Sequence, residues 1–236
     1  MDFEDKYLQE RPIEMDLTYA KLMRNVYLWM TLGLAITAGA AYFVAGRPDW
    51  VAVLGTNPVL LFGMMIAEVG LVILLSMRIN KMSFKTASLM FALYSLVNGV
   101  TLSFVLLSYT RESIVTTFLV TAGTFGVMSC VGYFTKRDLS TLGRILYMLL
   151  IGTIIASLVN LFFHNSTFEL ILSIIGVVMF TGLTAYDTQK IKQNLIDSDS
   201  YDNETVLKIA LMGALQLYLD FINLFLYLLR FLGKNR

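Results

Sequence analysis

Only one cysteine, Cys130, and one histidine, His164, occur in 236 residues. A single thiol excludes an internal disulfide, and Cys130, set in an apolar run, reads as a small filler. His164 sits in the polar run 164–167 and reads as a loop residue. With so few soft ligands there is no histidine or cysteine cluster to hold a metal. HExxH, GxSxG, GxxxxGK[ST] and CxxC are likewise missing, so no signature of a catalytic centre is present and an enzyme is not expected. Charge is scarce as well. Asp, Glu, Lys and Arg make up 15% of the chain, against roughly 25% in soluble domains. The net charge of +1 gives no electrostatic footprint for nucleic acid. Basic residues do not dominate the first 24 positions, which mix Asp2, Glu4, Asp5 and Glu10 with Lys6 and Arg11. A signal peptide would begin basic, so the first apolar run is expected to stay in the mature chain.

What is abundant is apolar: 57% of residues are hydrophobic. A soluble globule of this size cannot bury so much, and the surplus must face lipid. A helix needs about 20 apolar residues to cross a hydrocarbon core of about 30 Å. Seven runs meet that length: 25–45, 59–77, 86–108, 113–134, 145–163, 170–186 and 209–229. They are continuous, whereas a membrane β-barrel alternates over about ten residues. The expectation is an all-α bundle of seven transmembrane helices, residues 25–232 forming one domain behind a cytoplasmic segment 1–24. Connections are short and carry turn chemistry, as at Gly46-Arg47-Pro48, Asn57-Pro58 and His164–Thr167.

Lys and Arg favour the cytoplasmic side. With the N-terminus inside, that side collects Lys6, Arg11, Lys21, Arg24, Arg78, Lys81, Lys85, Lys136, Arg137, Arg144, Lys190, Lys192 and Lys208, while the outer loops keep Arg47 and Arg111. Arg230, Lys234 and Arg236 follow the last run and break the rule. Either this tail lies outside regardless, or the last run stops short of crossing.

Inside the seven windows only Glu68 and Asp220 are charged. A carboxylate at a helix centre costs about 2.5–3.5 kcal/mol, so each needs protein or water beside it. Gln216, Asp220 and Asn223 share one helical face, with Gly213 and Tyr227 extending it. This polar stripe is either glue between helices or an ion or proton site. Asp187 follows the sixth run at its cytoplasmic end, near Lys190, where it is a solvated helix-end residue or a partner for Asp220. Counted from the acidic turn 197–204 at 1.5 Å per residue, the two lie at depths differing by about 9 Å, which stagger or tilt can close. If they meet, two carboxyls in a dry site hold one proton between them. Losing it creates repulsion and a pair of hard oxygen ligands of the kind that suits Ca²⁺. Arg78, at the cytoplasmic interface, pairs with Asp187 or snorkels to headgroups. Asn98 and Asn160 are expected to bond between helices. The acidic turn lacks the glycine of an EF-hand loop, and the contexts of intramembrane aspartyl proteases are not reproduced, Asp220 following Leu219.

Residues 216–233, QLYLDFINLFLYLLRFLG, resemble the hallmark last helix of the Bax inhibitor 1 family, the transmembrane Bax-inhibitor-motif proteins. Asn98-Gly99-Val100-Thr101-Leu102, the stretch 132–140 (GYFTKRDLS) and the stretch 185–191 (AYDTQKI) agree in order. The match runs from about residue 20 to the C-terminus and is similar to the bacterial members. The resemblance implies seven helices with the last one central, in a bacterial inner membrane, and a pH-sensitive Ca²⁺ leak with no cofactor. It implies Asp187 and Asp220 as the pH sensor, Arg78 as latch and Glu68 on the ion pathway. Some bacterial members are also credited with restraining a membrane-bound protease. A non-conducting regulator of that kind, or a proton-coupled solute transporter, are the alternatives.

Overall fold

A computed structural model describes residues 3–163, 165–196 and 202–234, residues 3–19 and 161 by backbone alone. Eight α-helices follow one another: α1 Phe3–Ala45, α2 Pro48–Thr56, α3 Pro58–Arg78, α4 Phe84–Leu107, α5 Arg111–Phe134, α6 Ser140–Phe163, α7 Ser166–Ile196 and α8 Asn203–Leu232. A 3-10 turn, Ile79–Lys81, joins α3 to α4. No strand occurs among the described residues. Seven of the helices, all but α2, are long and apolar enough to cross a membrane, and each matches one of the seven runs, the third run overrunning α4 by Ser108 alone.

The helices start where local chemistry satisfies their free amide groups. Asn57 caps α3 through Leu60 N at 3.2 Å, Ser83 caps α4 through Thr86 N at 3.3 Å, and Thr110 caps α5 through Ser113 N at 3.3 Å. Asp202 caps α8, accepting from Glu204 N at 3.1 Å and Thr205 N at 3.3 Å. The short helix α2 is a departure from the expected turn. Its Pro48 occupies the first helical turn, where a missing N–H costs nothing. The rest of the acidic turn, 197–201, and His164 lie outside the described residues.

The turns α3–α4, α5–α6 and α7–α8 gather at one end of the bundle, here the N-face; the turns α4–α5 and α6–α7 lie at the other, the C-face. α8 packs on α7, α1, α5 and α4. Two-thirds of its apolar window is buried, 67%, against 6% for α3 and 17% for α6. α3 leans chiefly on α4, and α6 on α7. Without a hydrophobic drive between helices in lipid, close crossings depend on small residues. Gly132 of α5 abuts the Ala185 carbonyl of α7, and Gly99 of α4 abuts the Thr37 carbonyl of α1, so a Cβ has no room at either glycine.

α8 traverses the whole bundle, which decides the fate of the tail. Its end is tied to the C-face: Thr110 N donates to Lys234 O at 3.1 Å, and Lys234 N donates to Ser113 Oγ at 2.9 Å. Arg230 pairs with Glu169 of α7 at 3.3 Å. One of the cations that break the charge rule is therefore neutralised where it lies.

Candidate functional site

Asp187 on α7 and Asp220 on α8 are buried, 1% and 4% exposed. α7 runs nine residues beyond Asp187, while α8 begins seventeen residues before Asp220. The helices are thus staggered by about 12 Å at 1.5 Å per residue, and the two carboxyls are close enough to interact electrostatically. Around them, Tyr147 of α6 donates its hydroxyl to Asp187 Oδ1 at 3.2 Å. Gln216 of α8 donates to the Tyr147 oxygen at 3.0 Å and also reaches Asp187. Asp220 Oδ2 finds no hydrogen-bond donor among the described residues. Two acids, one hydroxyl and one amide thus form a closed group from three helices, with one oxygen left unsatisfied. Such an oxygen is expensive in a dry site unless a proton or cation comes to it.

A cavity of about 340 Å³ opens at the N-face between the end of α3, α7 and α8. Asn80, Asn194 and Lys208 line it, and its wall includes Gln216. Lys208 is paired with Glu204 at 3.3 Å, whose carboxylate also accepts the Phe84 amide of α4 at 3.0 Å. A vestibule of mixed polar and apolar lining therefore leads to the side chain that touches the aspartate group.

Glu68 belongs to a different group. It accepts hydrogen bonds from Thr101, and from Asn98 at 3.4 Å, both on α4. Asn98 accepts from the Tyr218 hydroxyl at 3.0 Å, which meets Thr37 Oγ1 at 2.6 Å, and Thr37 donates to Ser95 O at 2.9 Å. This second network links α3, α4, α8 and α1, with Phe91 and Tyr94 edge-on to the Tyr218 ring at 5.7 Å. Tyr218 and Asp220 are two positions apart, about 200° around the helix, so the networks occupy opposite sides of α8.

Two expected members stay apart. Arg78 ends α3, exposed, in a shallow groove with Met77 and Lys81, and makes no ion pair among the described residues. The latch to Asp187 is not formed: the Arg78 side chain is exposed, at the end of a helix that packs chiefly on α4. Asn223 donates to its own helix, to Leu219 O at 2.8 Å, and does not extend the group. Gly213 packs on Ile191, and Tyr227 stacks on Phe180 with ring centres 5.8 Å apart. Tyr218 and Thr101 enter from sequence only as members of the quoted family motifs, and Tyr147 and Thr37 do not enter at all. The signal of the latter two is a hydroxyl in an apolar run, which many structural residues share.

Among the described residues no three His, Cys, Asp or Glu side chains gather. The pair therefore offers a passing cation part of a shell, not the six to eight oxygens of a resident Ca²⁺ site. The quoted motifs lock one another in place. Gln189 accepts from Leu139 N at 2.9 Å and donates to Arg137 O at 2.8 Å, fastening the α5–α6 turn to α7 beside Asp187.

Residues 19–236 match the family described as inhibitor of apoptosis-promoting Bax1. The inner membrane protein YbhL of Escherichia coli K12 is 49% identical over 214 residues, 91% of this chain and 92% of the relative. An uncharacterized protein of Borreliella burgdorferi is 48% identical over 217 residues, 92% and 93% of the two chains. An uncharacterized membrane protein of Streptococcus pyogenes serotype M1 is 34% identical over 224 residues, 94% and 96% of the two. With seven membrane-length helices and this likeness along nearly its whole length, the chain belongs to the Bax inhibitor family of integral membrane proteins.

Proposed function

We propose that the protein is a pH-sensitive cation leak channel, with Ca²⁺ as the transported ion, in the inner membrane of a bacterium. The observation that carries this reading is the meeting of Asp187 and Asp220 in a buried site with one carboxylate oxygen unsatisfied. With one proton between them the acids hold α7 and α8 together. Without it, two like charges face each other in low dielectric and push the helices apart. The N-face vestibule supplies the route by which water and protons reach the pair through Gln216. The N-face is taken as cytoplasmic on its excess of Lys and Arg, and the bacterial inner membrane follows the name of the Escherichia coli relative. Glu68, in its separate network, is the second acidic station on the pathway.

Proteoliposomes loaded with a Ca²⁺ indicator test this directly. Flux rises as pH is raised from 6 to 8 in the native chain, because alkali removes the shared proton. Asp187→Asn and Asp220→Asn each abolish that pH response. If both variants keep the native profile, the pair is not the sensor. A native chain that binds vesicles but passes no ion at any pH favours the non-conducting regulator of a membrane partner.

A further inference from the structure

α1 and α5 both rest on α8 but scarcely touch each other. Between them lie two cavities, of about 690 and 340 Å³, which share Leu34, Phe118 and Phe221 and so form one cleft open to the lipid. It extends from Ala20 to Ala41 along α1, about 32 Å of helix, longer than the roughly 15 Å depth of one leaflet's hydrocarbon. The two ends differ in chemistry. The wall is apolar along most of its length, and toward the N-face it carries the Arg24 guanidinium with Tyr27 and Tyr133. Arg24 is exposed and has no ion pair among the described residues. A second cation stands close by: Lys192 Nζ lies 4.4 Å from the centre of the Tyr133 ring.

We propose that this cleft binds one anionic phospholipid, its phosphate at Arg24 and an acyl chain laid along Leu34, Phe118 and Phe221. A slot with an arginine at its mouth and an apolar shaft has the polarity of a phospholipid standing in its leaflet. Basic pockets between membrane helices recognise anionic headgroups by charge. The remaining apolar faces, such as those of α3 and α6, are convex helix surfaces that any lipid tail wets equally.

The test uses the full chain in phosphatidylcholine vesicles containing a trace of phosphatidylglycerol with a photoactivatable acyl chain. Adducts mapped by mass spectrometry concentrate on the α1 and α5 walls of the cleft. Unlabelled phosphatidylglycerol competes them away and added phosphatidylcholine does not. Arg24→Gln lowers the yield about five-fold, the effect of one cation beside an anionic headgroup, whereas Lys85→Gln, on α4 at the same face, leaves it unchanged. Adducts spread evenly over α3 and α6, or equal competition by both lipids, overturn the proposal. Cys130 lines the cleft, so efficient Cys130–Cys130 crosslinking by a short bismaleimide assigns it to a second copy of the chain and also overturns the proposal.

Discussion

Tyr147 donates to Asp187 from a helix forty residues away in sequence, and Gln216 closes the group from a third helix. A hydrogen bond to a charged acceptor contributes about 1.5–3 kcal/mol. Tyr147→Phe removes it and leaves the aromatic packing intact, including the edge-on contact with Tyr186 at 6.0 Å. Only the charged state of the pair uses this donor fully, so the variant makes opening harder. The pH profile of Ca²⁺ flux is expected to move toward alkali by about one unit, at 1.36 kcal/mol per unit, with the alkaline plateau unchanged. A lowered plateau with an unmoved midpoint assigns Tyr147 to packing alone.

At the scale of elements, the α5–α6 turn depends on one side chain. Gln189→Ala strands Leu139 N and Arg137 O, at about 1–3 kcal/mol for each group left without a partner. Lys136 and Arg137 are exposed in that turn, so trypsin cleavage there, in detergent micelles, is expected to accelerate on the order of ten-fold. Unchanged digestion shows that the turn is held by something else. The seven spans were legible because lipid imposes a length on every apolar run, whereas counting along the helices only permitted Asp187 to lie near Asp220, and the two were joined by the family resemblance. α2 was not, since Pro48 and Pro58 mark turns as readily as they open helices. The failure of Arg78 to reach the pair was hidden too. Reach depends on which side of α3 faces the bundle, and a helix that is apolar all round carries no such label. Tyr147 and Tyr218 act across long sequence separations, which periodicity does not register.

For the whole molecule, an odd number of crossings sets the ends of the bundle on opposite sides, and the anchoring of Lys234 by Thr110 and Ser113 fixes the second end. On a Cys130→Ser background, Lys136→Cys and Lys234→Cys are expected to react with an impermeant maleimide from opposite faces: in spheroplasts the second is labelled at once and the first only after lysis. Labelling of both from one side removes the seventh crossing. Tyr218 and Asp220 ride on one stiff rod between these ends, facing away from each other. Such a rod is a crankshaft, unable to turn under one crank pin without dragging the other. Damage at Thr37 or Asn98 therefore registers at the aspartates, and double-mutant cycles between the two sides will fail to close additively although no atom of one group touches the other.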